Sequence, residues 1–313
     1  MSRKRKKKGL TRSQRAKLIM LVITMFVTAA LALLHYSGIL TKDSLMIKAG
    51  LKDKPADHPG TEVHFIDVGQ GDCTLVISEG EAMVIDSGDR DETDAAVNYL
   101  TKQGITEIKY LIATHPHADH IGEMPEIFSR FRVDRFIMPR VADEYVPTTK
   151  IYEDLLMSVK NEGIKVTKAT DCQLELGECT VELFTPKKET DNLNNASVLV
   201  KITHGDNSFL VTGDCEVDEE QDILSQGFDI SAKILRAGHH GSSTSSSSAF
   251  LDKVLPRYAV ISCGKDNKYG HPHKETVSRL EKYADHIYTT VKYGSIVFYS
   301  DGEGLTVKTE KGR

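Results

Sequence analysis

The sequence predicts an α/β domain carried behind one membrane-spanning helix, on three observations. An uncharged apolar run, Leu18–Leu34, follows a strongly basic arm. Short β-rich runs alternate with helical patterns beyond it, and the alternation occurs in both halves of the remaining chain. Strands interleaved with helices define the α/β class. The 313 residues could hold two average domains, but a single α/β domain often runs to about 250 residues, which fits one domain plus an anchor.

Residues 1–17 form the basic arm, with Arg3, Lys4, Arg5, Lys6, Lys7, Lys8, Arg12, Arg15 and Lys17. Residues 18–40 read as a transmembrane signal-anchor, because apolar character continues as Leu33-Leu34 and Ile39-Leu40 and a spanning helix needs about 20 such residues. Basic residues ahead of the span keep that side cytoplasmic, so a single-pass membrane protein with its domain outside the cell is expected. Ala30-Leu31-Ala32 leaves a cleavable signal peptide as the competing reading; both export the domain. Residues 41–60, with Pro55, Pro59 and Gly60, are a polar linker.

The domain occupies residues 61–313. Val63–Ile66, Thr74–Ile77 and Met83–Ile85 open a sheet, and Thr93–Lys102 has helical apolar spacing. Ser197–Ile202, a turn at Gly205-Asp206-Asn207 and Phe209–Thr212 predict a hairpin. Ile234-Leu235, Ala259–Ile261 and Ile296–Phe298 supply later strands. Ser242–Ser248 is low in complexity: either a flexible loop leading to a helix N-cap or a substrate-facing loop.

Charge and cysteines narrow the function classes. The 61–313 segment carries 42 acidic and 27 basic residues, which argues against a broad phosphate-tracking surface but not against phosphodiester cleavage at a metal centre. Five cysteines, Cys73, Cys172, Cys179, Cys215 and Cys263, are an odd set. Cys172 and Cys179 flank a predicted hairpin but are offset around Gly177, so all five read as unpaired, mostly buried residues.

The most informative stretch is Thr114-His115-Pro116-His117-Ala118-Asp119-His120, directly after the apolar Tyr110–Ala113. Three imidazoles and a carboxylate at this density read as a metal site, with donors suited to zinc, manganese or iron. Two interleaved pairs can serve two ions, His115 with His117 and Asp119 with His120, which points to a hydrolase.

This loop, with Asp86-Ser87-Gly88 upstream and Thr212-Gly213-Asp214 and Gly238-His239-His240-Gly241-Ser242 downstream, resembles the metallo-β-lactamase superfamily. Phe65–Asp72 and Asn267-Lys268-Tyr269-Gly270-His271-Pro272 narrow the likeness to the hydrolase domain that ends ComEC-type competence proteins, and to phosphorylcholine esterases. The resemblance spans Thr61 to about Thr309 and implies an αββα sandwich.

It also implies site roles. Asp214 bridges two divalent ions, zinc or manganese, and His239 completes the ligand set of the second ion, with the adjacent His240 as its alternative or as a nearby donor. Asp86 holds the metal loop by hydrogen bonds. Asp119 orients the attacking water, and His271 contacts the phosphate or protonates the leaving group, with Asn267 as a further donor. A packed turn histidine is the plain alternative for His271. One departure stands out: His204 is the only histidine between the loop and Asp214, and at a hairpin turn it should face solvent. The first shell is therefore one imidazole short, and Asn195 or Ser197 is expected near that ion. Asp72 is either a turn-stabilising Asx residue or part of the cleft.

The expected activity is a metal-dependent phosphodiesterase, a ComEC-like nuclease acting on DNA at the cell surface. A phosphorylcholine or cell-wall polymer esterase and a non-catalytic metal-binding surface protein are the competing readings. The single apolar span makes no channel by itself, and the sequence indicates no protein partner.

Overall fold

Several strands of the domain are apolar on both faces, as strands buried on both sides must be. Met83, Val84 and Ile85 are each at most 1% exposed. The computed structural model describes residues 60–90 and 93–312. The expected arm and spanning segment, and all of the linker except Gly60, lie outside those residues, and among the described ones no helix is long and apolar enough to cross a membrane.

The first half supplies β1 (Thr61–Phe65), β2 (Thr74–Ser78), β3 (Glu81–Ile85), β4 (Glu107–Ile112), β5 (Arg132–Met138) and β6 (Val166–Lys168). The second supplies β7 (Cys172–Leu176), β8 (Cys179–Phe184), β9 (Leu199–His204), β10 (Asn207–Val211), β11 (Ile234–Arg236), β12 (Tyr258–Ile261) and β13 (His286–Thr289). β14 (Ile296–Ser300) and β15 (Leu305–Thr309) return to the first sheet. The two mixed sheets run β15-β14-β1-β2-β3-β4-β5-β6 and β13-β12-β11-β10-β9-β8-β7.

The helices are α1 (Ala95–Lys102), α2 (Ala118–Ile121), α3 (Met124–Arg130), α4 (Lys150–Asn161), α5 (Val217–Ser225), α6 (Ser248–Val254), α7 (Lys274–Leu280) and α8 (Thr290–Tyr293). Three apolar cores follow from strand alternation. Val84 and Leu111 pack on Val97, Ile127 and Leu155 of the first helical layer. Met83 and Ile112 face Val200 and Phe209 between the sheets. Leu210 and Leu235 pack on Ile223, Leu251 and Leu280 of the second helical layer. The order of layers is thus helix, sheet, sheet, helix.

Strands β3 to β6 are mutually parallel, as are β10 to β13. Loops leaving the carboxyl ends of parallel strands gather at one edge, where open α/β sheets bind ligands. The predicted hairpin forms, with Val200 opposite Val211. Leu176, not Cys172, lies opposite Cys179, and all five cysteines are free.

Two expectations are corrected. His204 is buried rather than solvent-facing: its Nδ1 lies 2.9 Å from Ser300 Oγ and its Nε2 3.2 Å from Glu178 Oε2. The following turn rests on Gly302, whose carbonyl accepts from Asp206 N, so this hairpin end is covered by β14–β15. The serine stretch leads to a helix N-cap at Ser247, as one of its two readings has it, and hydrogen bonds tie it to the fold rather than leaving it open to a ligand along most of its length. Ser245 Oγ donates to Cys215 O, the Ser246 and Ser247 amides donate to Glu220, and Ser247 Oγ caps α6 by accepting from Phe250 N.

Candidate metal centre

The loop after β4 is fixed from three sides before any ligand is considered. Asp86, ending β3, accepts from Thr114 N (2.8 Å) and Thr114 Oγ1 (2.7 Å), and Val198 N donates to Thr114 O. Below the loop, Gly71 at φ +130° lies so close to Asp119 O that a Cβ there would overlap it. Asp72 N donates to the same carbonyl, which places the glycine-containing turn under the histidine loop.

Four imidazoles have Nδ1 facing an acceptor, which turns Nε2 toward the site. His120 Nδ1 is 2.8 Å from Asp86 Oδ2, and His239 Nδ1 is 3.0 Å from Glu216 Oε1. His240 Nδ1 donates to Ser262 O at 3.0 Å. His115 Nδ1 faces Thr114 Oγ1 and Ser197 Oγ, both already donating elsewhere and so able to accept. A carboxylate or carbonyl behind each ring is the usual orientation device of metal-binding histidines.

The Nε2 atoms converge on Asp214. Its Oδ1 is 3.3 Å from His120 Nε2, and its Oδ2 lies 3.5, 3.8 and 3.9 Å from Nε2 of His240, His239 and His115. His115 Nε2 and His117 Nδ1 approach within 3.0 Å, and Asp119 Oδ2 is 3.3 Å from His240 Nε2. Donor atoms of Asp119, His120, Asp214 and His240 lie within 4.8 Å of one another. His120 Nε2, His240 Nε2 and Asp214 Oδ1 are buried with no aligned hydrogen-bond partner. Orphaned buried donors of this chemistry fit a divalent ion, and two such ions fit the paired loop ligands.

Electrostatics agree with a site that demands positive charge. Burial works against charge on His120 and His240, yet Asp214, with Asp86 behind His120 and Asp119 beside His240, raises both above the usual imidazole value. Burial alone would raise Asp214; His240 and His120 hold it well below the carboxylate range. Burial and the neighbouring His120 keep His115 neutral, the form that ligates metal.

Adjacent positive φ values, +48° at His239 and +52° at His240, turn the two rings apart. His240, not His239, joins Asp119 and His120. His240 is buried and His239 partly exposed, and both line the cavity.

Other expected residues take different roles. Asn267 spends both amide hydrogens on Gly264 O and His271 O and accepts from His271 N, so it clamps the His271 loop and has no donor left for substrate. Asn195 Oδ1 accepts from Glu216 N. Ser197 Oγ donates to Asn194 O and accepts from Asp214 N, so it holds the Asp214 backbone. Asn194 joins the site without any signal in the sequence; it lines the cavity and its side chain bonds His117.

Asp72 proves to be buried machinery beside the site rather than a surface Asx turn. It forms an ion pair with Arg236, whose side chain is 1% exposed. Arg236 also donates to Gly213 O (2.5 Å), and its Nη1 lies 3.8 Å from Asp214 Oδ1. Asp72, Asp86 and His120 make a second cluster, but Arg236 neutralises Asp72 and His120 Nδ1 is committed to Asp86. Sequence reasoning missed Arg236 because the end of an apolar strand run gives no sign of a buried ion pair.

A cavity of about 300 Å³ opens over the cluster, walled by Gln70, His117, Asn194, Tyr269 and His271. Burial, with His239 and His240 nearby, pushes His271 down to about 4. Its Nδ1 is buried without a partner, and its ring stacks on Tyr269 at 5.6 Å.

Residues 66–265 match the family model described as Metallo-beta-lactamase superfamily. The chain is 29% identical over 258 residues to ComE operon protein 3 of Bacillus subtilis (strain 168), covering 76% of this chain and 33% of that protein. It is 28% identical over 285 residues to competence protein ComA of Neisseria gonorrhoeae, covering 88% of this chain and 38% of that one. The match thus spans about a third of each relative's length. Among solved structures, CmlA, a diiron beta-hydroxylase from Streptomyces venezuelae, superposes with a TM-score of 0.50 at 14% identity over 82% of this chain and 59% of that chain, a likeness of fold.

Proposed function

The chain belongs to the metallo-beta-lactamase superfamily, and from that premise we propose that it is a two-metal phosphodiesterase that cuts DNA outside the membrane. The buried cluster of Asp119, His120, Asp214 and His240, open to a cavity on one side, carries the reading. The relation to competence proteins supports DNA as the substrate class.

Asp119, His120, Asp214 and His240 would hold one ion. His115 Nε2, His117 Nδ1, Asp214 and His239 would hold the other, so His239 supplies the imidazole that His204 does not. Two bound divalent ions supply Lewis acidity toward a phosphate oxygen and lower the pKa of water. Asp119 stands at the cavity mouth in its charged form, since hydrogen bonding and charge from His240 and His120 overcome the effect of burial. It is placed to orient the attacking water. His271 is neutral at physiological pH, so its role is a hydrogen bond to the phosphate rather than delivery of a proton to the leaving group. Asn267 and the Tyr269 stack fix that ring.

Nine basic residues ahead of the apolar run support a cytoplasmic N-terminus, a membrane anchor at 18–40 and an external active site. The 42 to 27 acidic excess of the domain favours the second reading, a phosphorylcholine or cell-wall polymer esterase. The test is the full-length protein with zinc or manganese on single-stranded DNA, duplex DNA, RNA and phosphorylcholine esters. DNA hydrolysis is expected. Hydrolysis of phosphorylcholine esters alone selects the second reading, and inertness toward every diester refutes both.

A further inference from the structure

Two further cavities flank the metal pocket, and strand order arranges all three along one edge. On one side, a cavity of about 500 Å³ is lined by the turn after β1 and the loop after β12, including Gln70, Lys265, Lys268 and Tyr269. On the other, a cleft of about 600 Å³ is lined by residues following β5, β6 and β8, including Arg140, Lys168, Lys187 and Lys188. The metal residues follow β3 and β4 in one sheet and β10 and β11 in the other, between these two groups in both strand orders.

One exit of the metal pocket carries an unsatisfied amide atom. Gln70 belongs to both the metal pocket and the Lys265 cavity; its Oε1 accepts from Gly264 N, which fixes the amide and leaves the buried Nε2 without a partner. On the other side, Asn194 of the pocket wall stands two residues before Ala196 of the far cleft. Lys187 pairs with Asp171, whereas Arg140, Lys168, Lys188 and Lys265 have no ion-pair partner among the described residues. The cleft holds Arg140, Lys168 and Lys188 unpaired, with the paired Lys187, beside Asp143, Glu144 and Glu189, a larger basic share than the domain's 27 basic to 42 acidic residues. Exposed aromatics accompany both arms: Tyr269 is 53% exposed, and Tyr145, next to Glu144 of the cleft wall, 36%.

The geometry points to a single-stranded nucleic acid lying along this edge, with one arm on Lys265, Lys268 and Tyr269, the scissile phosphate over the metal pocket, and the other arm on Arg140, Lys168 and Lys188. The inference rests on the phosphodiesterase reading and adds that internal linkages of a strand are the substrate. From β2 to β6 is four strand spacings, so the lane runs roughly 19 Å at about 4.8 Å each, long enough for several linkages of an extended strand. Cations contact backbone phosphates along such a lane, and exposed tyrosines offer faces for bases to stack on. Stacking favours a nucleic acid over a poly(glycerol phosphate) chain, which has no bases.

The test uses the full-length protein in EDTA with a fluorescent 12-nucleotide single strand, measuring anisotropy against salt. The double variant Lys265→Ala/Lys268→Ala and the triple variant Arg140→Ala/Lys168→Ala/Lys188→Ala should each weaken binding about tenfold or more, and flatten the salt slope by about 0.7 for each phosphate no longer neutralised. Tyr269→Ala should weaken oligonucleotide binding about tenfold and poly(glycerol phosphate) binding much less. All substituted side chains are exposed or half-exposed, and an unchanged thermal melt checks the fold.

Wild-type affinity in both multiple variants overturns the strand path. Equal affinity for poly(glycerol phosphate), insensitive to Tyr269→Ala, overturns the nucleic-acid assignment. Hydrolysis of bis(4-nitrophenyl) phosphate by the wild-type chain with manganese is scored separately. Its failure with cation-dependent binding intact refutes the phosphodiesterase reading alone, and its success with binding unaffected by the variants refutes the strand path alone.

Discussion

Replacing Arg236 by Met should destabilise the metal-free protein far more than its single ion pair suggests. Arg236 is 1% exposed, and its change would leave the buried Asp72 carboxylate facing only His240 Nδ1 at 3.7 Å and His120 Nδ1 at 4.0 Å. Those nitrogens are already engaged by Ser262 O and Asp86. Breaking a buried pair by removing one partner costs about 3–5 kcal/mol, because the remaining charge is uncompensated. Against a typical total of about 5–15 kcal/mol this is a large fraction. It corresponds to a melting temperature lower by on the order of 10 °C for a domain of this size. The Asp72→Asn/Arg236→Met double variant removes both charges and should recover at least half of the loss, since buried pairs exchanged for neutral groups are often close to neutral in energy. Urea unfolding of the wild type, both singles and the double, all in EDTA, gives the cycle. A loss below about 1 kcal/mol for Arg236→Met, or a double variant as unstable as the worse single, would refute the account of Arg236 as the cation that makes Asp72 tolerable in the interior.

Glu219 on α5 is buried with neither carboxyl oxygen well bonded, and burial holds its pKa well above the ordinary 4.5. Folding therefore takes up a proton above that pH, and wild-type stability should fall as pH rises from about 4.5 toward the raised value, at up to about 1.4 kcal/mol per unit. Glu219→Gln should flatten this slope in urea unfolding between pH 5 and 8; parallel slopes would contradict it. Metal analysis of the reconstituted protein should give up to two ions. Asp119→Ala and His120→Ala should lose turnover by several orders of magnitude, and near-wild-type hydrolysis by metal-saturated His120→Ala would discard the mechanism. His271→Ala should lose about 10²–10³ in turnover, the range for one transition-state hydrogen-bond donor. Its residual activity should keep the wild-type pH profile between pH 6 and 9, because His271 is neutral throughout that range. Protease added to intact cells or spheroplasts should remove an epitope at Arg313 and spare one at Ser2, and the reverse pattern would place the domain in the cytoplasm.

What could be read from the sequence was what lies close together along it. The histidine loop places four candidate ligands within six residues, and the hairpin of β9 and β10 shows its alternation and its turn residues. The orientation of His239 and His240 could not be read, since neighbouring residues share every local signal and differ only through two left-handed backbone torsions. His204 looked exposed because hairpin turns are usually at the surface; its burial depends on β14, far away in sequence. Asn267 carries the same donors whether it faces a phosphate or the backbone, and only the return of the chain at His271 decides between them. Arg236 was invisible for a related reason, as its partner Asp72 sits in the other sheet's half of the chain.

The positions of these counter-charges suggest how the site is formed before any ion arrives. Asp72, Asp86, Asp119 and Asp214 crowd one edge of the sandwich, and four carboxylates there would repel one another without fixed positive charge. Arg236 satisfies Asp72 permanently and braces the Gly213 carbonyl, while Asp86 is absorbed by Thr114 and His120. That leaves Asp119, beside His240, and Asp214, with Arg236 only at 3.8 Å from its Oδ1, as the two carboxylates that face the cavity. The ring-orienting partners Asp86, Glu216 and Ser262 O belong to the protein itself, so the imidazoles point inward without a metal. An ion held by His120 and His240 would have to displace the protons that Asp214 favours on both rings, so ion affinity is expected to fall with falling pH.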